Sequence, residues 1–255
     1  MGIIKIVILI VAALATATLS GMLGMAGGIL LLAIMFSVME DHNEIIPLHG
    51  AVQLVSNGTR TFAYLPHVDY RTVGRFALGT LPGMCIGIYL LLTIGKMPEA
   101  QPYLKVLIGA YILIATFLPK PRSAGGRMVW YDFPLLGFMA GAAALIGGAT
   151  GPLIAPLFAR RDFVKENLVA TKAMCQMITH LEKLFVFAYL GSIEVAKFGP
   201  LLIGMSAAAI IGTFIGRKLI THVSPELLVK LFRAALVLAG LKVLVWDGLK
   251  PLIAS

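Results

Sequence analysis

"GAVQLVSNGTRTFAY", residues 50–64, decides how the chain is read. Apolar and aromatic residues dominate it, yet it carries Gln53, Asn57 and Arg60. These three are spaced i, i+4, i+7. On a helix of 3.6 residues per turn they share one narrow face, and His49 extends that face by a turn. The stretch is an apolar helix with a polar, cationic stripe.

The solvent around that helix follows from composition. Of 255 residues, 59% are hydrophobic and 13% charged, where a soluble domain averages about 25% charged. The mean hydropathy is +0.92. Such a chain uses lipid as its solvent, and its 27 glycines suit closely packed membrane helices. Apolar runs fall at about 3–38, 44–65, 70–94, 103–118, 131–158, 164–190, 194–220 and 225–246, against the roughly 20 residues that a spanning helix needs. They are too long and too uniformly apolar for β-barrel strands. The N-terminal run has signal-peptide features, an early Lys5 and small residues at Ala15 and Ala17, but it continues apolar through Phe36. The expectation is an all-α integral membrane protein of about eight transmembrane segments.

The striped helix has a counterpart. At an offset of 123 positions Gln53 falls on Gln176, Asn57 on His180, Arg60 on Lys183 and His49 on Lys172, while Gly24 falls on Gly147 and Gly28 on Gly151. Two homologous repeats are therefore expected, residues 1–122 and 128–250, in a single membrane domain. Internal repeats of this kind mark transporters, whose sites lie between the repeats near mid-membrane. Burying an arginine or lysine in a bilayer costs at least a few kcal/mol, so both stripes are expected to face the protein interior or water. They serve either as glue, paired to Asp69, Glu166, Glu182 or Glu194, or as an anion site. Acidic residues are scarce within the spans, which favours the anion.

Glycine-rich breaks point the same way. "GMLGMAGG" (21–28) and "LIGGATGP" (145–152) are poor helix interiors, since each glycine costs about 1 kcal/mol against alanine. Pro152 suits a helix first turn. Gly27–Gly28 and Thr150–Gly151 are read as breaks, each opening a second half-helix, giving 8–10 helices in all. The free N–H groups at such helix starts suit an anion. Close helix packing is the alternative use of the same glycines.

Other motifs weigh less. Gly79, Gly83 and Gly87, and then Ala208, Gly212 and Gly216, form small-residue faces for packing within the chain or in a homodimer. Cys85 and Cys175 read as unpaired small hydrophobes. There is no zinc-type Cys/His spacing, Walker A loop, H-E-x-x-H or G-x-S-x-G, so neither an enzyme nor a metal or cofactor is expected. His180 is a candidate proton carrier. The net charge of +9 sits mostly in loops, where it meets lipid rather than nucleic acid. Eight spans put "PKPRSAGGR" opposite the basic loops "ARRDFVKEN" and "GRKLITHV". Five elements per repeat put it with "GRKLITHV", leave "ARRDFVKEN" as the exception, and make the repeats inverted.

Together, "GMLGMAGG" with an apolar helix behind it, "LIGGATGPLIAPLF", and the loop-poor two-repeat layout resemble the TauE/SafE family over nearly the whole chain. The family's proline after the break is present in "GGATGPLIAP" and missing from "AGGILLLA". The resemblance implies a multi-pass transporter of the bacterial inner membrane that moves small sulfur-containing anions such as sulfite, sulfoacetate, taurine or other sulfonates. The expected site comprises Gln53, Asn57, Arg60, Gln176, His180 and Lys183 with Gly27, Gly28 and Gly151; His49 and Lys172 lie at its margin. Arg60 and Lys183 are expected to share a central cavity, with one repeat moving against the other during outward transport. A passive anion channel, or a transporter of other organic acids, is the alternative.

Overall fold

In the computed structural model the described residues are 2–23, 27–39, 41–95, 97, 100–117, 130–147, 150–151, 154, 165–191, 195–219, 230, 233–234, 237–238 and 240–254, and among them there is no strand. Pro152, Glu194, the loop "PKPRSAGGR", most of "ARRDFVKEN" and part of the run at 225–246 lie outside these residues. The helices are α1 (Ile3–Leu23), α2 (Gly27–Val38), α3 (His42–Ala63), α4 (Tyr70–Leu90), α5 (Gln101–Phe117), α6 (Asp132–Gly147), α7 (Lys165–Tyr189), α8 (Val195–Leu219) and α9 (Lys250–Ala254). Wider π-type turns extend α4 over Leu91–Gly95 and precede α9 over Lys242–Leu249.

Among the described residues, three helical stretches are long and apolar enough to cross a membrane by length and composition: Ile3–Met22, Tyr70–Thr93 and Phe198–Leu219. Their outer faces carry exposed apolar side chains such as Val7, Leu78 and Ile203, as lipid requires and water would penalise. α3 and α7 have 22 and 25 residues but fall outside that set because the polar stripes dilute their apolar character.

The small-residue faces act inside the molecule. α4 lies so close to α6 that a Cβ on Gly79 would sit 1.8 Å from the Pro134 carbonyl oxygen, and one on Gly137 would sit 2.0 Å from that of Phe76. α1 and α8 meet the same way: a Cβ on Gly216 would lie 2.1 Å from the Thr18 carbonyl oxygen. Only glycine lets backbones approach so far. Between the two pairs, α3 packs against α7.

The first glycine break is a reversal of the chain. α1 ends at Leu23 and α2 begins at Gly27. The Gly27 amide donates to Ser20 Oγ at 3.0 Å, so α2 starts beside the last turns of α1. Its far end, Phe36 to Met39, shares a cavity of about 520 Å³ with Lys5 and Ile8 from the start of α1. α2 therefore folds back along α1, covering about 18 Å with its 12 residues. In the second half α6 ends at Gly147, and the Ile154 amide donates to the Thr150 carbonyl, a fresh helical turn beyond the break.

α4 starts at a cap. The Asp69 side chain accepts from the Arg71 and Thr72 amides and from the Thr72 hydroxyl, satisfying free N–H groups of the first turn. The Asp69 amide in turn donates to Thr171 Oγ1 at 2.9 Å, tying the α3–α4 connection to α7.

Candidate anion site at the crossing of α3 and α7

Both stripes point into the protein. His49, Gln53, Asn57 and Arg60 on α3 are at most 5% exposed, and Lys172, Gln176, His180 and Lys183 on α7 at most 7%. The helices cross antiparallel. Gly50 faces Lys183 while Gly58 faces Met177, so residues later in α3 meet residues earlier in α7. The His49 and His180 rings meet edge to face at 5.9 Å.

This direction sorts the cations. Lys183 reaches Gly50, its Nζ lying 3.1 Å from where a Cβ would be. Arg60 lies ten residues further along α3, about 15 Å away along the axis, toward the Lys172 end of α7 and within electrostatic reach of both Lys172 and His180. Arg60 and Lys183 thus lie toward opposite ends of the crossing instead of side by side, and the near pairs are Arg60 with Lys172 and Lys183 with the His49–Gly50 turn.

Each glycine break meets a stripe near its middle. Gly28 abuts Gln53: a Cβ there would sit 3.1 Å from the amide oxygen. Gly151 abuts Gln176, 3.0 Å from its Nε2 by the same measure. Gly27 sits against Thr16 and Ser20. The His49 ring donates through Nε2 to the Gly28 carbonyl at 2.8 Å.

The polar groups are unevenly satisfied. Asn57 donates to the Gln53 carbonyl at 2.8 Å. Arg60 donates Nη2 to Asn57 Oδ1 and Nε to the Ser56 carbonyl, both neutral acceptors on its own helix. No carboxylate among the described residues forms an ion pair with Arg60 or Lys172. Glu182 turns toward α4, accepting from the Thr80 hydroxyl at 2.7 Å, and Asp69 is the α4 cap. Lys172 Nζ, His180 Nδ1 and Thr150 Oγ1 are buried without a hydrogen-bond partner among the described residues. Such groups are costly in a dry interior. An anion would give the cation and the hydroxyl an acceptor.

Thr150 is absent from the sequence-based site. Its signal is position: it is the hydroxyl residue directly before Gly151.

No solved structure matches the chain. A protein described as "Probable sulfite/organosulfonate exporter TauE" from Cupriavidus necator is 26% identical over 168 residues, 63% of this chain. The match spans 62% of that relative's length, less than two thirds. The family model described as "Sulfite exporter TauE/SafE" matches residues 8–243. With all but the two ends of its sequence inside that match, the chain belongs to the TauE/SafE family of membrane proteins.

Proposed function

We propose that this protein is a secondary transporter of the bacterial inner membrane that exports small sulfur-containing anions, sulfite or organosulfonates, through a site at the α3–α7 crossing. The observation that carries this reading is a pair of buried cations, Arg60 and Lys172, with no carboxylate partner among the described residues. Family membership and the relative's name support the substrate class. Gln53, Asn57, Gln176 and His180 supply hydrogen bonds, Gly28 and Gly151 keep backbone within reach of the bound anion, and Gly27 seats the start of α2 against Thr16 and Ser20. His49 lines the first half of the site. Lys183 provides a third positive charge at the other end of the crossing.

The same reading makes residues 1–122 and 128–250 two repeats within an eight-span layout. Helix pairing supports it. An offset of 123 carries α1 onto α6, α4 onto α8 and α3 onto α7, so the α1–α8 contact is the image of the α6–α4 contact. Gly28 against Gln53 is likewise the image of Gly151 against Gln176.

The test is reconstitution. Proteoliposomes loaded with sulfite or sulfoacetate should show saturable exchange against the same anion outside. Single-channel conductance without saturation would make the protein a passive pore. Absence of both binding and flux for sulfite and every sulfonate tested would end the proposal.

A further inference from the structure

We infer that the substrate binds as a dianion, its two charges shared between Arg60 of the first half and Lys172 of the second. This rests on the transporter reading and concerns the charge state of what is carried. The two cations come from different helices, and the antiparallel register that sets Gly50 against Lys183 and Gly58 against Met177 brings them to the same end of the crossing. Arg60 is 3% exposed and Lys172 1%. Arg60 reaches only neutral acceptors, and Lys172 Nζ reaches none among the described residues. A monoanion between them leaves one buried positive charge uncompensated, and a zwitterion leaves both. A dianion compensates the pair.

The two ends of the crossing differ in this respect. His49, the counterpart of Lys172, already has an acceptor in the Gly28 carbonyl. Lys172 stands one turn before Gln176, and Gln176 abuts Gly151. Thr150, next to Gly151, adds a buried hydroxyl with no partner among the described residues. A charge-bearing ligand is therefore needed at the second break, where it would receive an ammonium, a hydroxyl, an amide and, from across the crossing, a guanidinium. Doubly charged sulfonates and the doubly deprotonated form of sulfite fit that set; taurine, with its own ammonium, does not.

The experiment is calorimetric titration of the full-length protein in detergent, at one pH and ionic strength, with sulfoacetate, its methyl ester, taurine and sulfite. Sulfoacetate should bind at least about tenfold tighter than the ester, since one charge-assisted contact is worth about that factor. Lys172→Gln should bring that ratio to within about threefold, and Lys172→Arg should keep it. Equal binding of ester and dianion by the unaltered protein overturns the inference while leaving the transporter reading intact. So does an undiminished ratio in Lys172→Gln. If neither sulfite nor any sulfonate binds, the transporter reading falls and this inference with it. Should Lys172→Gln fail to fold, the ratio in the unaltered protein and its persistence in Lys172→Arg still decide.

Discussion

Arg60 does two things at once: it holds Asn57 in place, and it carries a positive charge that no carboxylate among the described residues answers. A charge-assisted hydrogen bond to a bound anion is worth about 1.5–3 kcal/mol, so Arg60→Ala should weaken sulfonate binding roughly ten- to hundredfold in calorimetry on protein that purifies normally. Arg60→Lys should fall between, because an ammonium cannot hold Asn57 and two oxygens of a sulfonate together as the planar guanidinium fork does. Unchanged binding with a much lower melting temperature would make Arg60 structural glue. The burial of the stripes was legible in the sequence: i, i+4, i+7 polar spacing inside an apolar run is a local signal, and lipid forbids the outward orientation. Which cation neighbours which was not legible. That Arg60 meets Lys172, and Lys183 meets Gly50, depends on the antiparallel crossing, a property of two helices that neither encodes alone. That the Thr150 hydroxyl is buried without a partner among the described residues was hidden for another reason. A threonine in an apolar helix commonly satisfies itself against its own backbone, as Thr16 does by donating to the Ala12 carbonyl at 2.7 Å.

At the level of elements, the neighbouring glycines of the first break have separate duties. A Cβ on Gly27 would lie 2.1 Å from both the Thr16 carbonyl oxygen and Ser20 Oγ, and a backbone carbonyl cannot yield. A Cβ on Gly28 would first meet the tip of the Gln53 side chain, at 3.1 Å, and a side-chain amide can turn. Gly27→Ala should therefore destabilise the protein by roughly 1–3 kcal/mol, read as a lower melting temperature in detergent. Gly28→Ala should fold normally and bind sulfonates more weakly, because Gln53 is pushed out of place. If both variants melt alike and bind alike, Gly28 is a packing glycine and the break contributes nothing to the site. That the helix would stop near these glycines was readable from propensity. The return of α2 along α1 was not, because a glycine pair permits a kink, a straight continuation or a reversal equally well. What selects the reversal is tertiary: the Ser20 hydroxyl receiving the Gly27 amide, and the apolar face of α2 buried against α1 and α3.

For the whole molecule, the two most extensive backbone-to-backbone contacts run across the halves of the sequence. α1 is locked to α8 through Gly21, Gly212 and Gly216, and α4 to α6 through Gly79, Gly83, Gly137 and Gly141, in each case backbone against backbone. Surfaces interdigitated at that distance resist sliding, since a shift of an ångström drives carbonyls into Cα atoms. The simple picture of one repeat rocking against the other would have to break both contacts. The bodies that move during alternating access should be the α1–α8 pair and the α4–α6 pair, with the α3–α7 crossing between them as the part that adjusts. Spin labels on lipid-facing positions separate the two pictures. Val7 on α1, Leu78 on α4, Leu135 on α6 and Ile203 on α8 are all more than half exposed. On adding sulfite or sulfoacetate to protein in nanodiscs, the Val7–Ile203 and Leu78–Leu135 distances should stay fixed while Val7–Leu78 changes. A fixed Val7–Leu78 distance, with a change in Val7–Ile203, would mean that the sequence repeats are the moving bodies and that the glycine contacts yield during transport.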